Sequence, residues 1–206
     1  MPSTKTIRWI YKPIVHLLCL LPLLHLMAGS LGIAGVSLGA DPVARLLHSL
    51  GEWGLRFLVI TLAVTPLRFM LHQPWLINFR RMLGLYGFTY VLFHFIVWLT
   101  LDQGMYWRGI LKDIVKRPFI TIGFAALLLL IPLAVTSTSG MMRRLGRRWQ
   151  KLHRLIYVIV VLGVWHFYWL VKKDVTEPLI YAAIVAFLLG YRYWRSRQRK
   201  QRARPT

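Results

Sequence analysis

Three histidines, His94, His153 and His166, lie in or at the ends of hydrophobic stretches long enough to cross a membrane. Ionisable side chains are rare in such stretches and mark a pathway or a ligand site by default. His94 stands in LGLYGFTYVLFHFIVWLTL, His166 in LIYVIVVLGVWHFYWLV, and His153 where that second stretch begins. Neutral imidazole is the commonest protein ligand for a metal, and two imidazoles on facing membrane helices suit the axial positions of a haem iron. The single cysteine, Cys19, leaves no disulfide framework and no thiolate cluster. A metal is therefore expected to rest on histidine, carboxylate or thioether.

The elements that must position these side chains follow from composition. Of 206 residues, 57% are hydrophobic and 16% charged, the profile of an integral membrane protein. Six stretches approach or exceed the ~20 residues that cross a bilayer, at 14–36, 53–71, 82–101, 119–135, 152–171 and 179–194. They are too long and too continuously apolar for the alternating strands of a barrel, so an all-α bundle of six transmembrane helices is expected. The first could be mistaken for a signal peptide, but its apolar run is too long for one and an uncleaved helix is expected. Pro118 and Pro178 open spans four and six. Pro22, Pro66 and Pro132 fall inside spans and should free backbone carbonyls there.

The net charge of +21 does not point to nucleic acid, because of where it sits. Most of the 27 basic residues lie in the N-terminal tail, around Arg68, Arg80 and Arg81, in 143–154, and in the tail from Arg192 onward. The positive-inside rule puts both termini in the cytoplasm, and 41–52, 102–118 and 172–177 outside. The basic tail is expected to lie against anionic membrane lipid, and 102–118 is a candidate docking surface for a partner.

Spans three and five then run in the same direction. His94 lies twelve residues past Met82 and His166 fourteen past Leu152, so the two match in depth to about 3 Å. One haem between spans three and five could take both as axial ligands. His153 lies about 20 Å deeper, near the opposite face, and suits a second redox site. On an ideal helix it sits about 140° around from His166. It has no histidine at matching depth on span three, where Arg80 and Arg81 stand. His72 is the nearest alternative partner, and a flavin or quinone could occupy this inner site instead.

Simpler roles suit other residues. His16 and His25 are expected to hydrogen-bond between helices, and His48 and His72 to be exposed. Glu52 precedes Arg56 by four residues, which suits a local ion pair; salt bridges from Arg56 or Arg68 to haem propionates are the functional alternative. The block RRLGRRWQKLHR beside His153 could hold a flavin phosphate or an acidic cytoplasmic partner. No G-x-G-x-x-G lies between a strand and a helix, so no dinucleotide site is expected and electrons must arrive from another molecule.

The segments TPLR (65–68), RRMLGLYGFTYVLFH (80–94) and TSTSGMMRRLGRRWQKLHRLIY (136–157), with the later His166, resemble the ferric-reductase-like transmembrane family. Within it they resemble the haem-binding membrane subunits of bacterial periplasmic methionine sulfoxide reductase systems. The resemblance spans nearly the whole chain. It implies one ferric-reductase-like transmembrane domain over 1–206, with its core at about 50–172 and a basic tail at 195–206.

It further implies one or two b haems without covalent attachment, with His94, His153 and His166 as ligand candidates. Arg68, Arg80 and Arg81 are expected to neutralise propionates or phosphate beside the cofactors. FMN is implied too. Larger relatives such as NADPH oxidases carry two histidines on each of two helices and a soluble flavin/nicotinamide domain. Here span three has one histidine, which argues against a full two-haem arrangement. The implied role is an inner-membrane cytochrome. Its electrons come from the quinone pool or a cytoplasmic flavin reductase, and go to a periplasmic molybdopterin methionine sulfoxide reductase that repairs oxidised envelope proteins. A ferric or quinone reductase with another acceptor, and a haem-free scaffold or transporter, are the alternatives.

Overall fold

A computed structural model describes residues 2–171 and 173–202; the last four residues of the basic tail lie outside the described residues. The elements in chain order are α1 (Thr4–Ser30), α2 (Pro42–Met70), α3 (Pro74–Asp102), α4 (Trp107–Lys116), α5 (Pro118–Val135), α6 (Ser139–Leu145), α7 (Arg147–Leu170) and α8 (Thr176–Arg202). Among the described residues there is no strand. Among the described residues five helices, α1, α2, α3, α5 and α7, are long and apolar enough to cross a membrane. The expected sixth span, α8, is not among them, because Glu177, Arg192 and Arg195 dilute its apolar run.

Helix bounds depart from the apolar runs where polar residues belong to a helix. α1 begins ten residues earlier than its expected span and stops at Ser30, short of Gly32 in the left-handed region (φ 64°). α2 starts at Pro42, with Asp41 Oδ1 accepting from the Ala44 N–H at 3.0 Å. That N-cap, with proline at the first turn, carries the helix through Arg45, His48 and Glu52, residues that read as a loop. α3 tightens into a 3-10 segment over Pro74–Phe79 and widens into a π turn over Trp98–Asp102. α7 breaks at His153–Arg154 into Arg147–Leu152 and Leu155–Leu170.

α2 is the shared helix of two packed clusters. One face sets Leu55, Leu58, Val59 and Leu62 against Leu130 and Leu133 of α5, Ile159 and Val160 of α7, and Val185 and Leu188 of α8. The other sets Leu50, Phe57 and Val64 against Cys19 and Leu26 of α1 and Met82, Leu83 and Tyr90 of α3. Small residues let α2 and α3 approach closely: a Cβ on Gly54 would fall 2.7 Å from Val91 and one on Gly87 2.8 Å from Leu58. Tyr90 is fully buried, and its hydroxyl donates to the Cys19 carbonyl at 2.8 Å while accepting from the Leu23 N–H at 3.0 Å. The phenol thus enters the backbone ladder of α1 beside Pro22, satisfying groups that lipid could not.

Candidate functional site

The histidine end of the bundle encloses a cavity between α2, α3, α5 and α7. His94 and His166 face it together with Leu55, Leu58, Phe95, Trp98, Leu127 and Phe167. The two imidazole ring centres are 6.2 Å apart with planes at 79°. A histidine nitrogen binds a transition metal at about 2 Å, so rings at this separation would be able to hold one metal ion between them. The expected pairing of spans three and five is present at that spacing.

Each ring is held the same way. His94 Nδ1 bonds the Leu47 carbonyl at 2.9 Å and His166 Nδ1 bonds the Phe119 carbonyl at 2.7 Å. A carbonyl can only accept, so both Nδ1 atoms carry the proton and both Nε2 atoms keep a free lone pair. A metal-ligating histidine uses its second nitrogen in this way. One turn after each carbonyl stands a glycine against the ring: a Cβ on Gly51 would meet His94 Nδ1 at 3.2 Å, and one on Gly123 would meet His166 Nδ1 and Cε1 at 2.8 Å. Carbonyl, glycine and histidine recur at a constant offset: Leu47, Gly51 and His94 are each 72 residues before Phe119, Gly123 and His166. Leu55 and Leu127, Leu58 and Leu130, and Phe95 and Phe167 keep the same offset. This internal repeat was readable in the sequence by self-comparison. Among the described residues no group of three or more His, Cys, Asp and Glu gathers to hold a bare ion. Two lone donors facing an apolar slot fit an iron whose remaining four ligands come from a porphyrin, so the residues present fit a haem.

A second cavity lies at the opposite, arginine end, and Leu130 lines both. His153, Arg80, Arg81, Tyr157 and Arg192 face it. His153 stacks on Trp149 with ring centres 3.9 Å apart, and its Nδ1 bonds the Trp149 carbonyl at 3.1 Å. Its Nε2 is buried without a partner. The 72-residue offset puts Arg81 at the position equivalent to His153, so the inner cavity has one histidine facing arginines. Arg192 bonds Tyr157 and the Leu62 carbonyl, and its Nε is buried and unpartnered. Among the described residues no carboxylate balances these cations. All six acidic residues (Asp41, Glu52, Asp102, Asp113, Asp174 and Glu177) lie toward the histidine end. Arg80 and Arg192 are half-buried and Arg81 exposed; charge drawn partly out of water without a counter-ion is costly, and a planar anionic group fits the cations and the aromatic wall of Trp149 and Tyr157.

Other expected residues fall elsewhere. Arg68 lines neither cavity and lies over Phe69 at 5.1 Å. His72 is exposed, has φ 54°, and also lines neither. It therefore does not partner His153. The angle of about 140° between His153 and His166 assumed one continuous helix, and the break at His153–Arg154 removes it. Arg56 bonds Glu52 and Tyr181, each at 2.9 Å, and tethers α2 to α8 outside both cavities. His16 bonds Tyr86 at 2.8 Å between α1 and α3, as expected of an interhelical histidine.

Residues 50–164 match the model of the ferric reductase like transmembrane component. The chain belongs to the ferric-reductase-like transmembrane family. Within that family it is similar to proteins named protein-methionine-sulfoxide reductase heme-binding subunit MsrQ. The relative from Xanthomonas oryzae pv. oryzae is 52% identical over 95% of this chain and 91% of its own length. That from Xanthomonas euvesicatoria pv. vesicatoria is 58% identical over 77% and 73%, and that from Ralstonia nicotianae 54% over 87% and 83%. No solved structure matches.

Proposed function

We propose that the chain is a membrane cytochrome b, the haem-binding electron-transfer subunit of a methionine sulfoxide reductase system. The observation that carries this reading is the paired imidazoles, 6.2 Å apart, each with Nδ1 tied to a backbone carbonyl. His94 and His166 hold the iron of one b haem between α3 and α7. The two carbonyl bonds fix the tautomer and raise ligand basicity, and the apolar wall excludes water. The haem, when bound, supplies one-electron redox chemistry.

The inner cavity holds FMN or a second haem, with His153 facing its ring and Arg80, Arg81 and Arg192 neutralising phosphate or propionate. α8 serves as the sixth span: its Val185 and Leu188 are buried in the cluster of α2, α5 and α7. Both termini and the arginine end face the cytoplasm of a bacterial inner membrane. Electrons enter there from the quinone pool or a cytoplasmic flavin reductase. They leave at the histidine end to a periplasmic molybdopterin-containing catalytic subunit that repairs oxidised envelope proteins.

The test is an oxidised and dithionite-reduced visible spectrum of the purified protein, with a haem-to-protein ratio, for wild type, His94→Ala and His166→Ala. A low-spin b-type spectrum that disappears in both variants supports the reading. A colourless wild type grown with ample haem, or a spectrum unchanged in both variants, overturns it.

A further inference from the structure

The connection between α3 and α5 folds into α4, whose ten residues separate three kinds of side chain onto three stripes. Ile110 is 3% exposed, and Ile114 beside it also faces the bundle. Trp107, Leu111 and Val115 recur every fourth residue and are 59%, 64% and 79% exposed. Arg108, Lys112 and Lys116 follow the same spacing and are all exposed. At 100° per residue the exposed apolar stripe sits about 80° from the bundle-facing one, and the cationic stripe about 100° further around. The two apolar stripes make one continuous face, with the cations beside it.

Position decides what covers that face. Arg117 alone separates the end of α4 from Pro118, the first residue of membrane-spanning α5. The joint is braced by the Arg117–Asp113 ion pair at 3.2 Å and by the Thr121 hydroxyl bonding the Ile114 carbonyl. α4 therefore cannot leave the bilayer surface. We infer that α4 is an interfacial helix that sinks Trp107, Leu111 and Val115 into the acyl boundary and holds anionic phospholipid phosphates with Arg108, Lys112 and Lys116. Interfacial helices combine an apolar face, often with tryptophan, and a basic one. Juxtamembrane cations bind anionic lipid additively over a Debye length. The lipid-facing stripe also replaces the expectation that this whole segment is a soluble partner's docking surface.

The full chain in lipid nanodiscs tests it. A nitroxide on Leu111→Cys, in a Cys19→Ala background, is expected to be open to oxygen and closed to a water-soluble nickel chelate. Equal access to the chelate and to oxygen, as at an exposed connection, overturns the placement. A fluorophore at the same position is expected to transfer energy several-fold better to acceptor-labelled phosphatidylglycerol than to acceptor-labelled phosphatidylcholine. In Arg108→Gln/Lys112→Gln/Lys116→Gln, checked for monodisperse elution, that preference should fall toward one. An identical preference in both proteins overturns the headgroup contact. A label that reads water in lipid alone, and becomes shielded only when an acidic soluble protein is added, assigns the face to that protein and overturns the proposal.

Discussion

The two glycines behind the paired histidines offer a graded test of the ligand geometry. A Cβ on Gly123 would lie 2.8 Å from His166 Nδ1 and Cε1, whereas ordinary contact begins at 3.4 Å. The ring would have to retreat by about 0.6 Å, while metal–ligand distances are held to about 0.2 Å. The Phe119 carbonyl at 2.7 Å anchors the ring from the same helix that carries the new methyl. The ring can retreat only by giving up that bond or its place on the iron. Gly123→Ala should therefore weaken haem binding by about 10- to 100-fold, the range typical when a supporting contact of a metal ligand is lost. The retained haem should shift from low-spin to high-spin. At the equivalent Gly51 the new Cβ meets His94 at 3.2 Å, which needs a shift of about 0.2 Å, within that tolerance. Gly51→Ala should keep a low-spin spectrum. Alanine favours a helix over glycine by about 1 kcal/mol, so a general loss of folding is not expected from either change. Haem titration followed by visible spectra reads both. A Gly123→Ala protein with wild-type affinity and spin state, or a Gly51→Ala protein that loses haem more readily, would refute the reasoning.

Other perturbations separate the roles given to neighbouring groups. Tyr90→Phe strands the Cys19 carbonyl and Leu23 N–H in a dry interface. It should cost about 1–2 kcal/mol in detergent unfolding while the visible spectrum stays unchanged. Arg56→Gln should leave the haem spectrum intact and cost less than about 1 kcal/mol, because its ion pair with Glu52 is half-exposed. A lost haem there would restore the propionate role. Arg80→Gln/Arg192→Gln should release the anionic ligand of the inner cavity, measured as flavin and haem content per protein, while the signature of the His94–His166 haem persists.

The membrane class, the helical architecture and the His94–His166 pairing were all legible in the sequence. Each rests on a one-dimensional signal, either apolar length or matched depth along spans of the same direction. The carbonyls of Leu47 and Phe119 were not legible, because a backbone acceptor leaves no mark in residue type. Leu47, His48 and Gly51 were also assigned to a loop. Arg45, His48 and Glu52 interrupt the hydrophobic run there, although Asp41 and Pro42 together signal a helix start. The amphipathic α4 escaped for a related reason. Its ten residues mix three cations and a carboxylate with apolar positions, so only its helical period, not its mean polarity, reveals it. Arg68 was placed near a cofactor because it is a charged residue near the inner end of a span, but depth says nothing about which way a helix face points.

The repeat explains why one end of the bundle is matched and the other is not. At the histidine end both copies keep a carbonyl, a glycine and a histidine on regular helix. At the arginine end the copies diverge in residue and in backbone. α3 is regular from Arg80 to Val97, with Arg81 exposed. The equivalent turn of α7 breaks at His153–Arg154 and turns the imidazole onto Trp149. Replacing Arg81 by histidine would restore the residue but not the geometry. The new imidazole would start from an exposed helical position with no glycine notch or braced carbonyl behind it. Arg81→His should therefore leave the haem-to-protein ratio at its wild-type value, measured by pyridine haemochrome against amino-acid analysis. A rise to one further haem per chain, with a second low-spin signal, would mean that a single missing ligand had kept the inner cavity from binding like the outer one. It would also assign that cavity's cations to haem propionates rather than to the phosphate of a flavin.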